Sequence, residues 1–221
     1  MPEARSDTWA LIPIKSLDNG KTRLSPLLDP RERAALIPAM AEDVLDAFAN
    51  YGRMPVLVIT GDSRVERLAR RRGFFCLMEE QCESETKAIE TATEHALREG
   101  AGGALVMPAD VPLVDASDVA EVVERAPAQG SLLVPAWDGR GTNAALRRPA
   151  GLFPLRFGND SFLPHRAAAE RSALPLVVHH NERIALDVDS PGDLRRLLDF
   201  PDTGSRTRRV LAAFSLERIA P

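Results

Sequence analysis

Residues 104–113 read Ala-Leu-Val-Met-Pro-Ala-Asp-Val-Pro-Leu, an apolar run that leads into a carboxylate between two prolines. A short run that is wholly apolar is typical of a strand buried on both faces, and such strands occur mainly in parallel sheets. In open α/β sheets, ligands bind beyond the carboxyl ends of the strands. Asp110 is therefore expected at the ligand-binding edge of a sheet.

Strands and helices are predicted to alternate on both sides of this run. The predicted strands are residues 9–14, 55–60, 74–78, 104–107, 132–136, 176–178 and 184–188, with a short strand near Ala145. The predicted helices run from Pro30 to Gly52, split or kinked at Pro38, and over 63–72, 85–98, 117–125, 161–170 and 191–198. This alternation predicts an α/β fold with helices on both faces of a parallel sheet. We expect the chain to form one domain over residues 1–221, with its core at about 9–199 and a C-terminal tail at 200–221.

The composition excludes several kinds of partner. The 221 residues carry a net charge of only −4, so the chain lacks the positive field that nucleic acid or an anionic membrane requires. Its apolar runs fall far short of the ~20 residues that a membrane-spanning helix needs. The first residues do not resemble a signal peptide, and Cys76 and Cys82 lack the spacing of a zinc site. We therefore expect a cytoplasmic protein with reduced thiols and a small-molecule partner.

Three cations follow the first predicted strand: Lys15, Lys21 and Arg23. They share a loop with Gly20, at the edge of the sheet where ligands bind. Ammonium and guanidinium groups are common partners of phosphate oxygens, and a triphosphate is a natural ligand for three of them. The alternative is a basic loop that is merely solvated.

Two more carboxylates, Asp187 and Asp189, come at the end of the last predicted strand. Because side chains alternate along a strand, both point to the same face. Neighbouring carboxylates repel each other unless a cation lies between them, and Mg²⁺ suits hard oxygen ligands at a site that also holds phosphate. Asp110 is expected to join them as a metal ligand. In the alternative, one of the pair caps the helix at Pro191 and the other is solvated.

A fourth set of residues, Thr142, Gly158 and Ser161, combines small hydroxyls with a glycine amide near the start of a predicted helix. Such groups make a good receptor for phosphate or carboxylate. His165 lies one turn beyond Ser161 and is expected to face the same site. Turns also use these residue types for conformational reasons alone.

Taken together, five parts of the chain resemble the phospholactate guanylyltransferase family, in order from about Trp9 to Leu198. These parts are Ile12-Pro13-Ile14-Lys15 with Lys21-Thr22-Arg23-Leu24-Ser25, Pro108-Ala109-Asp110-Val111-Pro112-Leu113, Gly141-Thr142-Asn143, Phe157-Gly158-Asn159-Asp160-Ser161-Phe162 with His165, and Asp187-Val188-Asp189. The resemblance implies a Rossmann-like nucleotidyltransferase fold of the GT-A-like type, with a mixed, mostly parallel sheet. It also implies Mg²⁺ at the three aspartates and a phosphorylated acid at Thr142, Gly158 and Ser161.

The activity implied by the resemblance is transfer of GMP from GTP to the phosphate of a three-carbon acid, with release of pyrophosphate, in coenzyme F-420 biosynthesis. Family members use 2-phospho-L-lactate, phosphoenolpyruvate or 3-phospho-D-glycerate, and the sequence does not choose among them. A phosphate monoester is largely dianionic at pH 7, since its second pKa is about 6, so the reaction needs no strong base. Catalysis is expected to depend on Asp110, Lys15 and Lys21, with Arg23 also on the nucleotide.

One segment departs from the family pattern. Residues 83–88 read Glu-Ser-Glu-Thr-Lys-Ala, where the family usually has a Leu-Asn-Ala type motif. This departure leaves open a nucleotide-binding regulator without catalysis. A sugar-phosphate or molybdenum-cofactor nucleotidyltransferase is a further alternative, because those enzymes share the fold and the strand-end aspartate. They usually have a glycine-rich loop after the first strand, whereas this loop has only Gly20. A homodimer is also left open.

Overall fold

The fold is a mixed β-sheet between two layers of helices, in a computed structural model that describes residues 7–18, 20–79, 84–158, 160–202 and 204–214. Within these ranges the strands are β1 Thr8–Pro13, β2 Val56–Thr60, β3 Phe75–Met78, β4 Gly103–Val106, β5 Gly130–Pro135, β6 Thr142–Arg148 and β7 Leu176–Val178. The helices are α1 Pro30–Tyr51, α2 Ser63–Arg71, α3 Glu85–Arg98, α4 Ala116–Arg125, α5 Phe162–Arg171, α6 Pro191–Asp199 and α7 Arg206–Ala212. A 3-10 turn covers Thr22–Leu24. Cys82, Glu83 and Asn159, which the sequence analysis used, lie outside the described residues.

The strand order is β3-β2-β1-β4-β6-β5-β7. Every described neighbouring pair is parallel except those of β6, which runs antiparallel to both β4 and β5. The connection from β5 to β6 spans only residues 136–141, too few for the crossover that parallel strands require. The short strand expected near Ala145 is thus a full central strand, and its reversal puts Thr142 at the carboxyl edge of its neighbours.

Alternate residues of the strands supply two separate cores. Ala10 and Ile12 of β1 pack with α1, α2 and α4, whereas Trp9 and Leu11 pack with α3 and α5. Period-two alternation of this kind directs successive side chains to opposite faces of a sheet. The helices expected on both faces are therefore confirmed, and both faces of β1 are apolar because both are covered.

Two local expectations are wrong. The chain at residues 184–188 forms no strand; a turn leads into it, and the side-chain amide of Asn143 holds the carbonyls of Ile184 and Ala185 at 3.0 Å each. Since that amide satisfies the backbone oxygens, no strand partner is needed. Helix α1 continues through Pro38, so of the split or kink expected there the split is wrong; Leu36 and Ala39, on either side of the proline, are buried in the core.

The tail folds back onto the core. The carboxylate of Asp43 in α1 accepts hydrogen bonds from the backbone N–H groups of Arg206 and Thr207, each at 2.8 Å, and so caps the start of α7. Leu211 of α7 is fully buried in a third cluster with residues of α1 and α6. None of the helices in the described ranges has the length and apolar character needed to span a bilayer.

Candidate active site

The candidate site lies where the sheet changes direction. From β1, the neighbours on one side are β2 and β3, and on the other side β4, so the loops after β1 and β4 diverge and leave a crevice between them. A cavity of about 410 Å³ opens there. Its lining includes Arg23, Glu85, Asp110, Trp137, Thr142, Asn143, Gly158, Ser161, Asp187 and Asp189. The structure thus brings together residues from every set that the sequence analysis identified.

Lys21 lies inside this group rather than on the open loop. Its ammonium donates to Oδ2 of Asp110 at 2.6 Å and to Oδ1 of Asp189. Burial of Lys21 works against its charge, but the two carboxylates outweigh burial and raise the pKa of the ammonium. The side chain is only 11% exposed, so the charge is held as a bridge between the segment after β4 and the segment before α6.

Asp187 is held by a neighbour on the reversed strand. The side-chain amide of Asn143 donates to its Oδ1 at 3.0 Å. Although the predicted strand is absent, buried Leu186 and Val188 still alternate with Asp187 and Asp189, so both aspartates reach the cavity. Burial and the charge of Asp110 raise the pKa of Asp187 to about 6, against its usual 3.8.

The three aspartates fit a divalent cation in their chemistry. Oδ1 of Asp110 is buried and has no hydrogen-bond partner among the described residues, which is costly unless a ligand takes it up. All the donor atoms are carboxylate oxygens, the ligands that Mg²⁺ prefers. Within the part of the chain that the structure describes, however, no three ligand groups are already spaced around a metal position. The ammonium of Lys21 lies between Asp110 and Asp189 instead.

A further part of the cavity wall carries small polar residues. Thr142 begins β6, and Ser161 precedes α5 without making a side-chain capping bond to it. Gly158 has φ of +140°, a conformation that residues with a Cβ avoid. These three residues surround one part of the cavity, as the sequence analysis expected for an acceptor.

His165 lies behind this wall and not on the cavity, in contrast to the direct contact expected from its spacing. The backbone N–H of Arg156 donates to its Nε2 at 2.8 Å, so the ring proton is on Nδ1 and is donated to Oγ1 of Thr142 at 3.0 Å. Burial and the charge of Arg147 lower the pKa of His165 to about 4. The neutral imidazole therefore fixes Thr142 as an acceptor on one side and leaves its O–H free to donate into the cavity.

The other two predicted phosphate-binding cations remain on the open side. Arg23 is exposed and lines the cavity, and Lys15 is exposed on the loop after β1. Lys15 is close enough to Glu85 for its charge to oppose the rise in the pKa of that carboxyl. Two of the three cations are thus exposed to solvent near the cavity, and the third, Lys21, is already paired.

The geometry can be compared with known proteins. The model of the family described as "Guanylyl transferase CofC like" matches residues 8–217. The chain belongs to this family. A phosphoenolpyruvate guanylyltransferase of Rubrobacter xylanophilus is 40% identical over 203 residues, which cover 91% of this chain and 98% of that protein. A 2-phospho-L-lactate guanylyltransferase of Methanothermobacter thermautotrophicus is 35% identical over 191 residues, covering 86% and 84%.

The fold of this CofC-like chain also resembles solved structures. A protein of Desulfovibrio desulfuricans G20, assigned as a nucleotide-diphospho-sugar transferase, superposes with a TM-score of 0.79 over 97% of this chain and 96% of its own, at 19% identity. At this level of identity the similarity concerns the fold. The predicted nucleotidyltransferase fold is confirmed.

Sequence reasoning missed two groups in this CofC-like site. Asp193 of α6 accepts hydrogen bonds from the backbone N–H groups of Asp189 and Ser190 and from the indole N–H of Trp137. It therefore fixes the acidic segment, residues 187–189. Glu85, at the start of α3, lines the cavity. Only the departure from the family pattern at residues 83–88 indicated that this region differs; no motif placed Glu85 at the site.

Glu85 gives the metal-free protein a pH-dependent stability. Burial and the charge of Asp110 raise its pKa from 4.5 to about 7, so between pH 8 and 6.5 the folded protein takes up a proton that the unfolded chain does not. The free energy of unfolding should therefore rise as the pH falls through this window, by on the order of 1 kcal/mol. Glu85→Gln should remove most of this rise and be more stable than the wild type at pH 8. Urea unfolding of both proteins at three pH values measures the free energy of unfolding. An equal dependence of this free energy on pH in the two proteins would contradict the raised pKa of Glu85.

Proposed function

We propose that this protein transfers GMP from GTP to the phosphate of a phosphorylated three-carbon acid, with release of pyrophosphate, in coenzyme F-420 biosynthesis. The observation that carries the proposal is the shape of one cavity. Asp110, Asp187 and Asp189 line it together with Thr142 and Ser161, so carboxylates and hydroxyl groups meet in one cavity. Two anions can meet only where cations and hydrogen-bond donors face them from both sides, and this cavity provides such a place.

The chain's own residues account for the positioning that the reaction needs. An acceptor phosphate that is already dianionic requires no general base, and among the described residues that line the cavity there is no histidine to serve as one, since His165 lies behind Thr142. What remains is to hold the acceptor oxygen close to the α-phosphorus of GTP, in line with the leaving pyrophosphate. Holding reactants in this way contributes several kcal/mol to rate enhancements in enzymes.

We place the acceptor at the wall formed by Thr142, Gly158 and Ser161. The hydroxyl of Thr142 donates into the cavity because the imidazole already occupies its oxygen, and the hydroxyl of Ser161 makes no capping bond. Two hydroxyl donors beside a glycine with an open backbone suit the carboxylate or phosphate of a small acid. The acceptor is therefore held by these groups, which leaves the aspartates to the metal.

The triphosphate is proposed to lie against the loop after β1. Arg23 lines the cavity and Lys15 is exposed on the same loop, and charge-assisted bonds to phosphate oxygens are stronger than neutral ones. Mg²⁺ held by Asp110, Asp187 and Asp189 would neutralise charge on the phosphates and orient them. Hydrogen bonds keep these aspartates in place. Asn143 donates to the carboxylate of Asp187, and Asp193 accepts from the backbone N–H of Asp189.

The acceptor is proposed to be one of the acids named for the relatives or implied by the family resemblance. The relative that is 40% identical is a phosphoenolpyruvate guanylyltransferase, so phosphoenolpyruvate is the first acid to test. 2-Phospho-L-lactate and 3-phospho-D-glycerate are the other two.

The test is pyrophosphate release by the purified protein with Mg²⁺ and GTP, with each acid offered separately. We expect release with GTP and one of the acids, and little with ATP. A hexose 1-phosphate serves as a further acceptor, since release with it alone would favour a sugar-phosphate nucleotidyltransferase. Nucleotide binding without release under any condition would contradict the proposal and favour a regulator.

A further inference from the structure

We infer that Lys21 is a built-in counter-ion of the acidic site, which a divalent cation must displace before the substrates can be used. The inference rests on the proposed function for the identity of the site, but it concerns the state of the protein before any substrate binds. It predicts that Lys21, although needed for turnover, weakens the binding of a divalent metal in the absence of nucleotide.

The position of the ammonium is the first argument. Nζ of Lys21 lies 2.6 Å from Oδ2 of Asp110 and also contacts Oδ1 of Asp189, which are 89 and 168 residues away in the chain. A Mg²⁺ ion ligated by the same two carboxylates would take up the same oxygens. The ammonium already occupies both of them, and its charge repels a second cation brought to this pair. Metal and ammonium therefore compete at this point.

The charge around the ammonium is the second argument. Four carboxylates influence one another at this end of the cavity: those of Glu85, Asp110, Asp187 and Asp189. One ammonium leaves most of their negative charge uncompensated, so a more highly charged cation is still attracted. Oδ1 of Asp110, buried and without a partner among the described residues, is an oxygen that such an ion can take up. The ammonium thus stabilises the site in the absence of metal, but it compensates too little charge to prevent a divalent cation from replacing it.

The backbone of Lys21 is the third argument, because it limits where the displaced side chain can go. Lys21 has φ of +53°, in the left-handed region that residues with a Cβ rarely adopt, and it precedes a 3-10 turn anchored by fully buried Leu24. Arg23 lies on the same turn and lines the cavity. A displaced ammonium therefore stays on the side of the cavity where the triphosphate is proposed to bind.

The exchange gives removal of Lys21 opposite effects on two measurable quantities. Without the ammonium, a divalent cation has no competitor between Asp110 and Asp189, so it should bind more tightly to the substrate-free protein. Guanylyl transfer should become slower, because the ammonium of Lys21 no longer reaches the phosphates of the nucleotide. A lysine that served only to bind phosphate would leave the affinity for the free metal nearly unchanged.

The experiment is titration of the full chain with Mn²⁺ in the absence of nucleotide, followed by the electron paramagnetic resonance signal of free Mn²⁺. We expect Lys21→Met to bind Mn²⁺ at least 10-fold more tightly than the wild type. Lys15→Met removes the same charge from the same loop, away from the carboxylate pair, and should change the affinity no more than about 3-fold by long-range electrostatics. Equal or weaker binding by Lys21→Met would overturn the inference.

A second measurement uses the unaltered protein, so it does not depend on the variant's folding. Lys21 is 11% exposed and paired twice, so it should resist acetylation in the metal-free protein, and saturating Mn²⁺ should increase its labelling several-fold as measured by mass spectrometry. The exposed Lys87 on α3 is the internal reference. Unchanged labelling of Lys21 at saturating Mn²⁺ would count against displacement. Neither readout requires guanylyl transfer, so a failure of the proposed activity and a failure of the exchange give different results.

Discussion

Replacing Asp187 by asparagine is expected to lower the rate of pyrophosphate release at least 1000-fold in a protein that remains folded. The amide has nearly the shape of the carboxylate and can still accept the hydrogen bond from Asn143. It lacks the charge that a metal-bound triphosphate requires, and charge stabilisation by a metal contributes several kcal/mol, at about 1.4 kcal/mol for each factor of ten. The measurement is steady-state pyrophosphate release with GTP and the acid that the wild type uses.

The stability of the same variant distinguishes a catalytic role from a structural one. The pKa of Asp187 is raised to about 6, so its ionised form costs stability above that pH and the cost is lost as the pH falls. Asp187→Asn should therefore melt at the same temperature as the metal-free wild type at pH 7.5, or higher. Asp138→Asn, at an exposed residue on the rim of the same cavity, is the matched control and should retain nearly full activity. A near-normal rate in Asp187→Asn would remove the case for a metal at this carboxylate.

Replacing Thr142 by valine is expected to lower kcat/KM for the acid about 100-fold and to leave KM for GTP unchanged. Valine keeps the shape of the side chain and suits a strand, but the acid loses a hydrogen-bond donor and the N–H of His165 loses its acceptor. Leaving buried or charged groups unpaired costs about 1–3 kcal/mol for each group. Steady-state kinetics with each substrate varied in turn measures both constants, and an equal loss for GTP and the acid would contradict this location of the acceptor.

His165 provides the companion test. His165→Leu should raise KM for the acid by about a factor of ten, since only the orientation of Thr142 is lost, and His165→Gln should restore part of it through its amide N–H. Because the pKa of His165 is about 4, KM for the acid should not depend on this residue between pH 6 and 8. A loss of acid binding as the pH rises through 6.5, abolished in His165→Gln, would instead indicate an imidazolium in direct contact with the acid.

The sequence could predict which residues lie at the ligand-binding edge of the sheet better than which side chains pair with each other there. Asp110 was placed at the site because an apolar run before a polar loop is a local pattern, and the same reasoning placed Asp187 and Asp189. For Lys21 the loop was predictable but the pairing was not, since its two carboxylates are 89 and 168 residues away. Spacing along a helix put His165 near Ser161, but it could not show that the chain at Arg156 closes over the ring.

The reversed strand β6 shows why the rest could not be predicted. Its sequence ends in Arg147 and Arg148 and has little alternation, so the pattern indicated only a short strand near Ala145. Pairing on both sides, with β4 and β5, is what makes it a strand of seven residues. At residues 184–188 the opposite happened, because an apolar pattern typical of a strand met a side-chain amide in place of a neighbouring strand.

The tail bound to α1 also has a consequence for the newly made chain on the ribosome. Leu36 and Met40 in α1 share their core cluster with Leu194 and Leu211, which are translated more than 150 residues later. Domains generally fold as units during synthesis, at roughly 5–20 residues per second. This surface of α1 therefore stays uncovered while most of the sheet is being made, and exposed apolar surface of that kind is where chaperones bind. Helices α6 and α7 emerge late and complete the protection of α1, which emerges early.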